Sequence, residues 1–380
     1  MDRKEALAHF RENAAVPAIK RALQQFHEDF KINRELYCQK LLTGFEEIAE
    51  KLQIEEPDTE IACIQFSFLQ SHVLDGTYQW LVEAKDKNEV LDRKEREVYI
   101  AMPELFGALE TLEQEVKQEI AKYIGNLNEG DAEQVKLETF RRCIGYFYLG
   151  GYYAFRNISH TEAYQKIKKY RLFRIMLGGY MDRVQILHIQ EEKEIGDIKK
   201  QFYDTADIDD WKKEELLLRD YSGIVLKEEG KRIDCKNLMF SSFAESRIRY
   251  HLFTLSNLMG VNFSNSRIDD TAFIGNTFQQ ADFTGAILKN CDMHASMFYG
   301  GEYVNGQVTP GIYPVSFKNA VLEQVNFSYC DLRNCDFEHA VMTDVIMDSA
   351  MLEGARMSRE NMEKLELTEE QRNSIIMILE

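Results

Sequence analysis

The spacing of apolar residues divides the chain into segments of different structure. Residues 1–55 carry apolar side chains at alternating steps of three and four, the spacing of one helix face. The same spacing returns over residues 90–221. It predicts four helices there, at roughly 90–124, 131–155, 160–201 and 208–221. We therefore expect a helix-rich domain over residues 1–221.

Two short runs within this domain alternate between apolar and more polar residues. They flank Asp75-Gly76, a pair preferred in tight turns because both central residues take positive φ. The pattern predicts a β-hairpin at about 60–85 with one buried face.

Two helical segments have an alternative interpretation. The first helix places Asn33 between Phe30 and Tyr37 in a seam that resembles a coiled coil. We expect this helix to pack within its own domain, although the seam could instead join subunits. Residues 131–155 are rich in aromatic side chains, which are more typical of a packed core than of a ligand cage.

A period of five residues begins at Ile233 and holds to Met357. A large apolar residue occupies every fifth position, 24 in all, with Tyr303 the last before an interruption that shifts the phase by one. The predicted inward large residues include Phe243, Phe263, Phe273, Phe283, Leu288, Phe327, Leu332, Phe337 and Leu352. Such a register predicts an internal repeat.

The residue two positions before each large one is usually small. The predicted inward small residues include Ala281, Ala286, Cys291, Ala320, Cys330, Cys335, Ala340 and Ala350. A period of five fits neither a helix nor a strand. It fits a square solenoid in which each pentapeptide forms one side and the large residue stacks on its equivalent in the next coil. At the spacing of β-strands, six coils would give a rod about 29 Å long.

The motifs CDL (330–332), CDF (335–337), ADF (281–283) and CDM (291–293) resemble the A(D/N)LXX pattern of the pentapeptide-repeat family. The resemblance covers residues 231–357 and none of residues 1–230. It implies a right-handed quadrilateral β-helix that acts as a binding surface without catalysis. Some members resemble duplex DNA in shape and charge and bind type II topoisomerases, and others belong to adaptors or secreted effectors.

These patterns predict an α+β protein with four parts. Residues 1–221 form the helical domain, 222–232 a linker, 233–357 the β-helix and 358–380 a C-terminal cap. Within the cap, Thr368 is a candidate helix N-cap. The apolar end of the chain packs either on the last coil or on a second copy, which would make a homodimer.

Residues 299–316 interrupt the repeat and are rich in glycine and proline. Proline cannot donate to the hydrogen bonds between coils, so this segment is expected to leave the β-helix as a loop. Its candidate interaction residues are Tyr303, Pro310, Tyr313 and Pro314. The alternative is an insertion without a role.

Charge and chemistry narrow the possible functions. The net charge of −18 makes nucleic-acid binding unlikely, and no apolar run is long enough to span a membrane. Seven cysteines without paired spacing favour a reducing cytoplasm. The eight histidines are scattered, and no metal, cofactor or nucleophile motif is found, so we predict no catalytic, cofactor or metal site.

The leading hypothesis is a non-enzymatic bacterial adaptor whose helical domain recognises a partner and whose β-helix is a rigid scaffold. One alternative is a DNA mimic that binds DNA gyrase. The repeat region weakens it, because 14 acidic against 10 basic residues give a net charge of only −4. The second alternative is an enzyme of unrecognised type within residues 1–230.

Overall fold

The computed structural model describes residues 2–88, 92, 94–191, 198–206, 216–301, 303–304, 307–308 and 311–378. The Cα positions divide the chain into two units. The first comprises residues 1–192 with 302–310, and the second comprises residues 193–301 with 311–380.

The first unit combines helices with a five-stranded sheet. Its helices are α1 (Arg3–Phe10), α2 (Val16–Glu55), α3 (Gln70–Leu74), α4 (Gly107–Ile120), α5 (Glu129–Phe155) and α6 (Glu162–Lys166). Its strands are β1 (Ile61–Phe68), β2 (Gln79–Asp86), β3 (Glu97–Ala101), β4 (Lys169–Gly179) and β5 (Val184–Glu191). The sheet order is β3-β2-β1-β4-β5. The pair β1 and β4 is parallel, whereas the other neighbouring pairs are antiparallel.

The apolar face of α2 is buried against α5. Between ring centroids, Phe30 lies 5.4 Å from Tyr146 and 6.0 Å from Phe147 of α5, and Tyr37 lies 5.8 Å from Phe147. The helices approach closely at Gly150, where a Cβ would lie 2.6 Å from the ring of Tyr37. Both aromatic segments thus form a packed core, which agrees with the sequence expectation.

The predicted hairpin exists in its pairing but not in its turn. Phe68 of β1 lies opposite Trp80 of β2 in an antiparallel register. The strands are joined through α3, and Asp75 has φ −79°, so the expected two-residue turn with two positive φ angles is wrong. The expected single buried face is also wrong for β1. Phe66 and Ser67 are consecutive in regular register and so point to opposite faces of the sheet, and both are fully buried, so both faces of β1 are covered.

Two of the predicted helices are largely wrong. Residues 97–101 of the predicted helix 90–124 form β3, although α4 follows within it. Residues 169–191 of the predicted helix 160–201 contain the antiparallel pair β4 and β5. Phe173, Ile175 and Leu177 alternate along one buried face, and their pairing with β1 and β5 overrides the local helical spacing.

The second unit begins with α7 (Ile198–Ala206) and continues as a right-handed β-helix. Outside the interruption, paired residues are 20 positions apart, as Asn262 and Asp282 are, so four pentapeptides make one coil. The strands of one side are β6 (Val225–Leu226), β8 (Arg247–Arg249), β10 (Arg267–Asp269), β12 (Ile287–Lys289), β15 (Val321–Glu323) and β16 (Val341–Thr343). A second side contains β7 (Lys231–Asp234), β9 (His251–Thr254) and β11 (Ala272–Ile274).

The segment expected to be a linker belongs to the first coil. Within residues 222–232, β6 pairs with β8, and Leu226 is fully buried among the inward residues. The ring of Tyr221 stacks on Phe243 with centroids 5.1 Å apart. Of the predicted helix 208–221, residues 208–215 lie outside the described residues and 216–221 are not helical. The β-helix therefore begins before Ile233.

The interruption adds 14 residues to one coil. Before it, partners are 20 positions apart, whereas Met297 pairs with Asp331, 34 positions later. Tyr303 lies in a hairpin of β13 (Tyr303–Val304) and β14 (Gln307–Val308). Counting Tyr303 as an inward residue was therefore wrong, and Phe317 takes that place beside Phe283.

The C-terminal segment contains two short helices and one strand. These are α8 (Arg359–Lys364), α9 (Glu369–Ser374) and β18 (Ile376–Ile378), and β18 pairs in parallel with β17 (Arg356–Ser358). Thr368 is the N-cap of α9, as expected, and forms a reciprocal capping box with Gln371. The offset between β17 and β18 is again 20 residues, so the apolar end Ile376–Ile378 continues the pairing of the β-helix.

The inward and outward positions of β12 give a matched stability test. Leu288 is fully buried, whereas its neighbour Ile287 is 36% exposed. We expect Leu288→Ala to lower the free energy of unfolding by about 2–5 kcal/mol, because it leaves a cavity in the stacked interior. Ile287→Ala should cost about 1 kcal/mol or less. Urea denaturation followed by circular dichroism measures both, and equal losses would contradict the assigned orientation.

Candidate interaction surface

Stacked columns of large side chains fill the interior of the β-helix. One column consists of Phe243, Phe263, Phe283, Phe317 and Phe337, with neighbouring ring centroids 4.8–5.3 Å apart. All nine predicted inward large residues are fully buried. They therefore support the outer surface and are not available to a partner.

The eight predicted small residues are also buried. Polar members of this position donate hydrogen bonds to the preceding coil. Cys330 Sγ donates to the carbonyl of Met293 at 3.0 Å, and Ser296 Oγ donates to the carbonyl of Phe273 at 2.8 Å. Asn276, one of the larger residues here, donates in the same way to the carbonyl of Phe253 at 2.9 Å. This position therefore accepts a residue that fits the space and satisfies its own polar atoms.

The turn between successive pentapeptides has left-handed backbone. Positive φ recurs at five-residue steps, for example at Asn265 (54°), Asp270 (48°) and Asn290 (53°). Asparagine, aspartate and glycine adopt this region most readily, which explains their frequency in the repeat. Leu255 occupies the same conformation with its side chain exposed. The recurring positive φ of these positions was not predicted from the sequence.

Where an aspartate or asparagine precedes the large residue, its side chain binds the local backbone. The carboxylate of Asp282 accepts a hydrogen bond from the backbone N–H of Thr284 at 3.0 Å. Asn326 does the same for Ser328 at 3.0 Å. These side-chain hydrogen bonds replace a backbone hydrogen bond of a turn and fix the chain before the next residue with positive φ.

Cations on the same or the next coil neutralise several surface carboxylates. Arg249 pairs with Asp270 at 2.8 Å, and Lys318 pairs with Glu338 at 2.6 Å. Hydrogen bonds from Asn290 and Arg249 hold the pKa of Asp270 below its usual range. The described surface of the β-helix therefore carries many carboxylates as paired charges and not as an open anionic array.

An apolar stripe crosses the side that contains β6 to β16. Ile287, Val321 and Val341 are direct neighbours on β12, β15 and β16, and their side chains are partly exposed. We call these three residues the apolar stripe. The sequence analysis did not predict it, because Ile287 and Val321 lie on either side of the interruption and become neighbours only in the fold.

The candidate loop residues differ in accessibility. Tyr313 is only 4% exposed, so the prediction that it meets a partner is wrong, whereas Pro314 is exposed. Tyr303 lies in β13, and its side chain is outside what the structure describes, as is Pro310 altogether. Pro314 is thus the predicted interaction residue that the described structure places on the surface.

The first unit contains a buried charged cluster. Lys136 Nζ lies 2.9 Å from a carboxylate oxygen of Glu110 and 2.6 Å from one of Glu113. Tyr78 Oη donates to Glu110 at 2.5 Å, and burial together with this bond raises the pKa of Tyr78. Each charge has a partner, so the cluster links α4, α5 and the start of β2. Among the described residues, no group of three or more histidine, cysteine or acidic side chains is placed to hold a metal ion.

Comparison with known families identifies the repeat. The family "Pentapeptide repeats" matches residues 237–296 and 320–359 in eight copies. The matches to this family lie within residues 237–359, while the N-terminal region has no recognised family. No curated protein matches the chain. In the described part of the chain, no helix combines the length and apolar character needed to cross a bilayer.

Several solved structures are similar to the repeat region. QnrB1, described as a plasmid-mediated fluoroquinolone resistance protein, is 18% identical over 39% of this chain and 73% of its own, with a TM-score of 0.18. Rfr23 from the cyanobacterium Cyanothece 51142 is 13% identical over 37% and 91%, with a TM-score of 0.17. HetL from Nostoc sp. strain PCC 7120 is 11% identical over 43% and 97%, with a TM-score of 0.14. At these values the functions of those proteins carry no argument for this chain.

Cysteine labelling tests the accessibility of the small position. Burial raises the pKa of the Cys291 and Cys330 thiols to about 12 and also raises the pKa of Cys335. Cys235 is the one exposed cysteine among the seven. We expect iodoacetamide at about pH 8, near the ordinary thiol pKa, to add one label to the folded protein. Mass spectrometry should locate it on Cys235, with seven labels after denaturation. Rapid native labelling of Cys330 would contradict the packing.

Proposed function

We propose that this chain is a non-enzymatic protein-interaction protein in which the β-helix is a scaffold and the first unit is a recognition domain. The observation that carries the proposal is the stacked interior of the β-helix, where inward residues are buried and neighbouring coils are hydrogen-bonded. Its outward residues are consequently those that meet a partner. Repeat proteins of this kind use their extended surfaces for binding.

The proposal includes a four-sided cross-section and a C-terminal cap. Two observations support the cross-section: residues with positive φ recur at five-residue steps, and the pairing offset is four pentapeptides. Leu365 and Ile375 join the buried cluster of the β-helix, so residues 358–380 would cover its last coil. Without such a cover, the open edge of a β-helix would pair with other chains.

A second copy of this chain is one proposed partner. Ile376 and Met377 of β18 are about half exposed at the end of the β-helix. The remaining partner is another protein, and we place both in a bacterial cytoplasm. The seven free cysteines are consistent with that reducing compartment.

The apolar stripe is the surface that we propose for the other protein. Three neighbouring β-branched residues form a flat ladder on a rigid support, and Val321 is its centre. A partner with an apolar segment would bury them without distorting the β-helix. Direct contact with Pro314 is not required by this arrangement.

Affinity capture with the full-length chain tests the stripe. We expect Val321→Asp to abolish capture of the partner that the unmodified chain retains, because the partner would have to bury an unpaired carboxylate. Met351→Asp is the matched control, since Met351 is similarly exposed on another side of the coil. Circular dichroism checks that both variants fold. Loss of capture by both variants, or by neither, would contradict this surface.

Catalytic turnover that depends on a residue of the first unit would overturn the non-enzymatic proposal.

A DNA mimic that binds gyrase is the alternative. The paired carboxylates of the β-helix weigh against it, because a phosphate array presents unpaired negative charge. We expect the purified chain to leave gyrase supercoiling unchanged. Inhibition that rises with the concentration of the chain would replace the scaffold proposal with this one.

A further inference from the structure

A groove lies where the two parallel strands of the first unit end. Phe68 is the last residue of β1, Gly179 is the last of β4, and the two are direct partners in the sheet. The groove encloses about 240 Å³, and an adjoining recess of about 200 Å³ shares Phe68, Gln70 and Gly179 with it. In sheets with parallel strands, ligands bind beyond the carboxyl ends of neighbouring strands.

The walls of the groove are largely apolar. Phe68 and Phe140 lie with ring centroids 5.2 Å apart, and Leu137 and Ile144 of α5 extend the same wall. Gly179 lets the turn after β4 approach the strand end, because a Cβ there would lie 2.9 Å from Cβ of Asp182. The turn thereby brings Asp182 and Arg183 to the groove.

Two arginines at the groove have no carboxylate partner among the residues that the structure describes. Neither Arg141 nor Arg183 forms an ion pair in the described part of the chain, and Arg141 Nη2 donates only a long bond of 3.4 Å to Gln70. In contrast, Arg142 on the next position of α5 pairs with Glu138 at 2.7 Å. The unpaired guanidinium groups therefore distinguish the groove from the adjacent surface of α5.

Asp182 is the acidic side chain in the lining of the groove. One of its oxygens accepts a hydrogen bond from the backbone N–H of Arg183 at 2.7 Å. The two positive charges of Arg141 and Arg183 and the one negative charge of Asp182 give the groove lining a net charge of +1. The whole chain has a net charge of −18. This local reversal of sign favours an anionic ligand.

We propose that this groove binds a carboxylate attached to an apolar group of one or two side chains in size. The planar guanidinium group matches a carboxylate with paired hydrogen bonds, and the apolar wall buries the attached group. The volume is below that of most drug-sized pockets, which limits the ligand to a small one. The ligand is either a free organic acid or the C-terminus of a protein. The proposal does not depend on the scaffold function of the β-helix.

Calorimetric titration of the full-length chain tests the proposal with N-acetyl-leucine and N-acetyl-leucinamide. These probes share the apolar group and differ in the charge of the carboxyl end. We expect the carboxylate to bind at least tenfold more tightly than the amide, a factor that corresponds to about 1.4 kcal/mol. Arg141→Gln and Arg183→Gln should each weaken carboxylate binding about tenfold and leave amide binding unchanged.

Arg142→Gln is the matched control, because it removes a neighbouring cation that already has a partner. It should bind the carboxylate as the unmodified chain does. Equal affinity for acid and amide, no carboxylate binding up to about 10 mM, or equal weakening by all three arginine variants would overturn the proposal. Thermal unfolding of each variant separates these outcomes from misfolding.

A short peptide that ends in leucine with a free C-terminus distinguishes the two sources of the carboxylate. Binding at least tenfold tighter than that of N-acetyl-leucine would assign the groove to a protein C-terminus, since the preceding residues would fill the recess beside Gln70. Weaker or equal binding would assign it to a free organic acid. Failure of this binding would leave the stripe experiment unaffected, because the stripe is on the β-helix.

Discussion

Stacking of inward side chains at the spacing of neighbouring coils is the interaction on which the β-helix depends. Its phenylalanine rings lie 4.8–5.3 Å apart, close to the 4.7–4.9 Å spacing of hydrogen-bonded strands. One pitch therefore satisfies both the ring contacts and the bonds between coils, such as Phe283 N to the carbonyl of Ser316 at 2.7 Å. A residue that changed this pitch would weaken both sets of contacts together.

The turns between pentapeptides show that this pitch can hold the backbone in an unfavourable conformation. Left-handed conformation costs an ordinary residue about 1–2 kcal/mol, yet Phe240, Leu255 and Tyr329 adopt it. The stacked core and the hydrogen bonds on both sides hold them there. Corner residues can therefore vary widely in chemistry, which gives the β-helix a surface that changes in character without a change of fold.

The core of the first unit is formed by contacts of a different kind. Its core is a cluster of aromatic rings between α2, α5 and the sheet, and a buried lysine with two glutamates connects the elements around it. The ends of β1 and β4 leave space that the core does not fill, and there Arg141 and Arg183 have no acidic partner among the described residues. A chain with an acidic surface and a local basic groove is suited to selecting a small anionic group.

The sequence by itself determined the repeat, because a period of five leaves large and small residues only one consistent arrangement. It also determined the helices α2 and α5 and the N-cap at Thr368, whose signals are local. Tertiary structure alone decided that residues 169–191 are strands, since pairing with β1 selects between two periodicities that the segment satisfies. It also decided that Phe317 replaces Tyr303 in the interior and that Arg141 and Arg183 meet at one groove. These features depend on contacts between residues far apart in the chain, which local spacing does not encode.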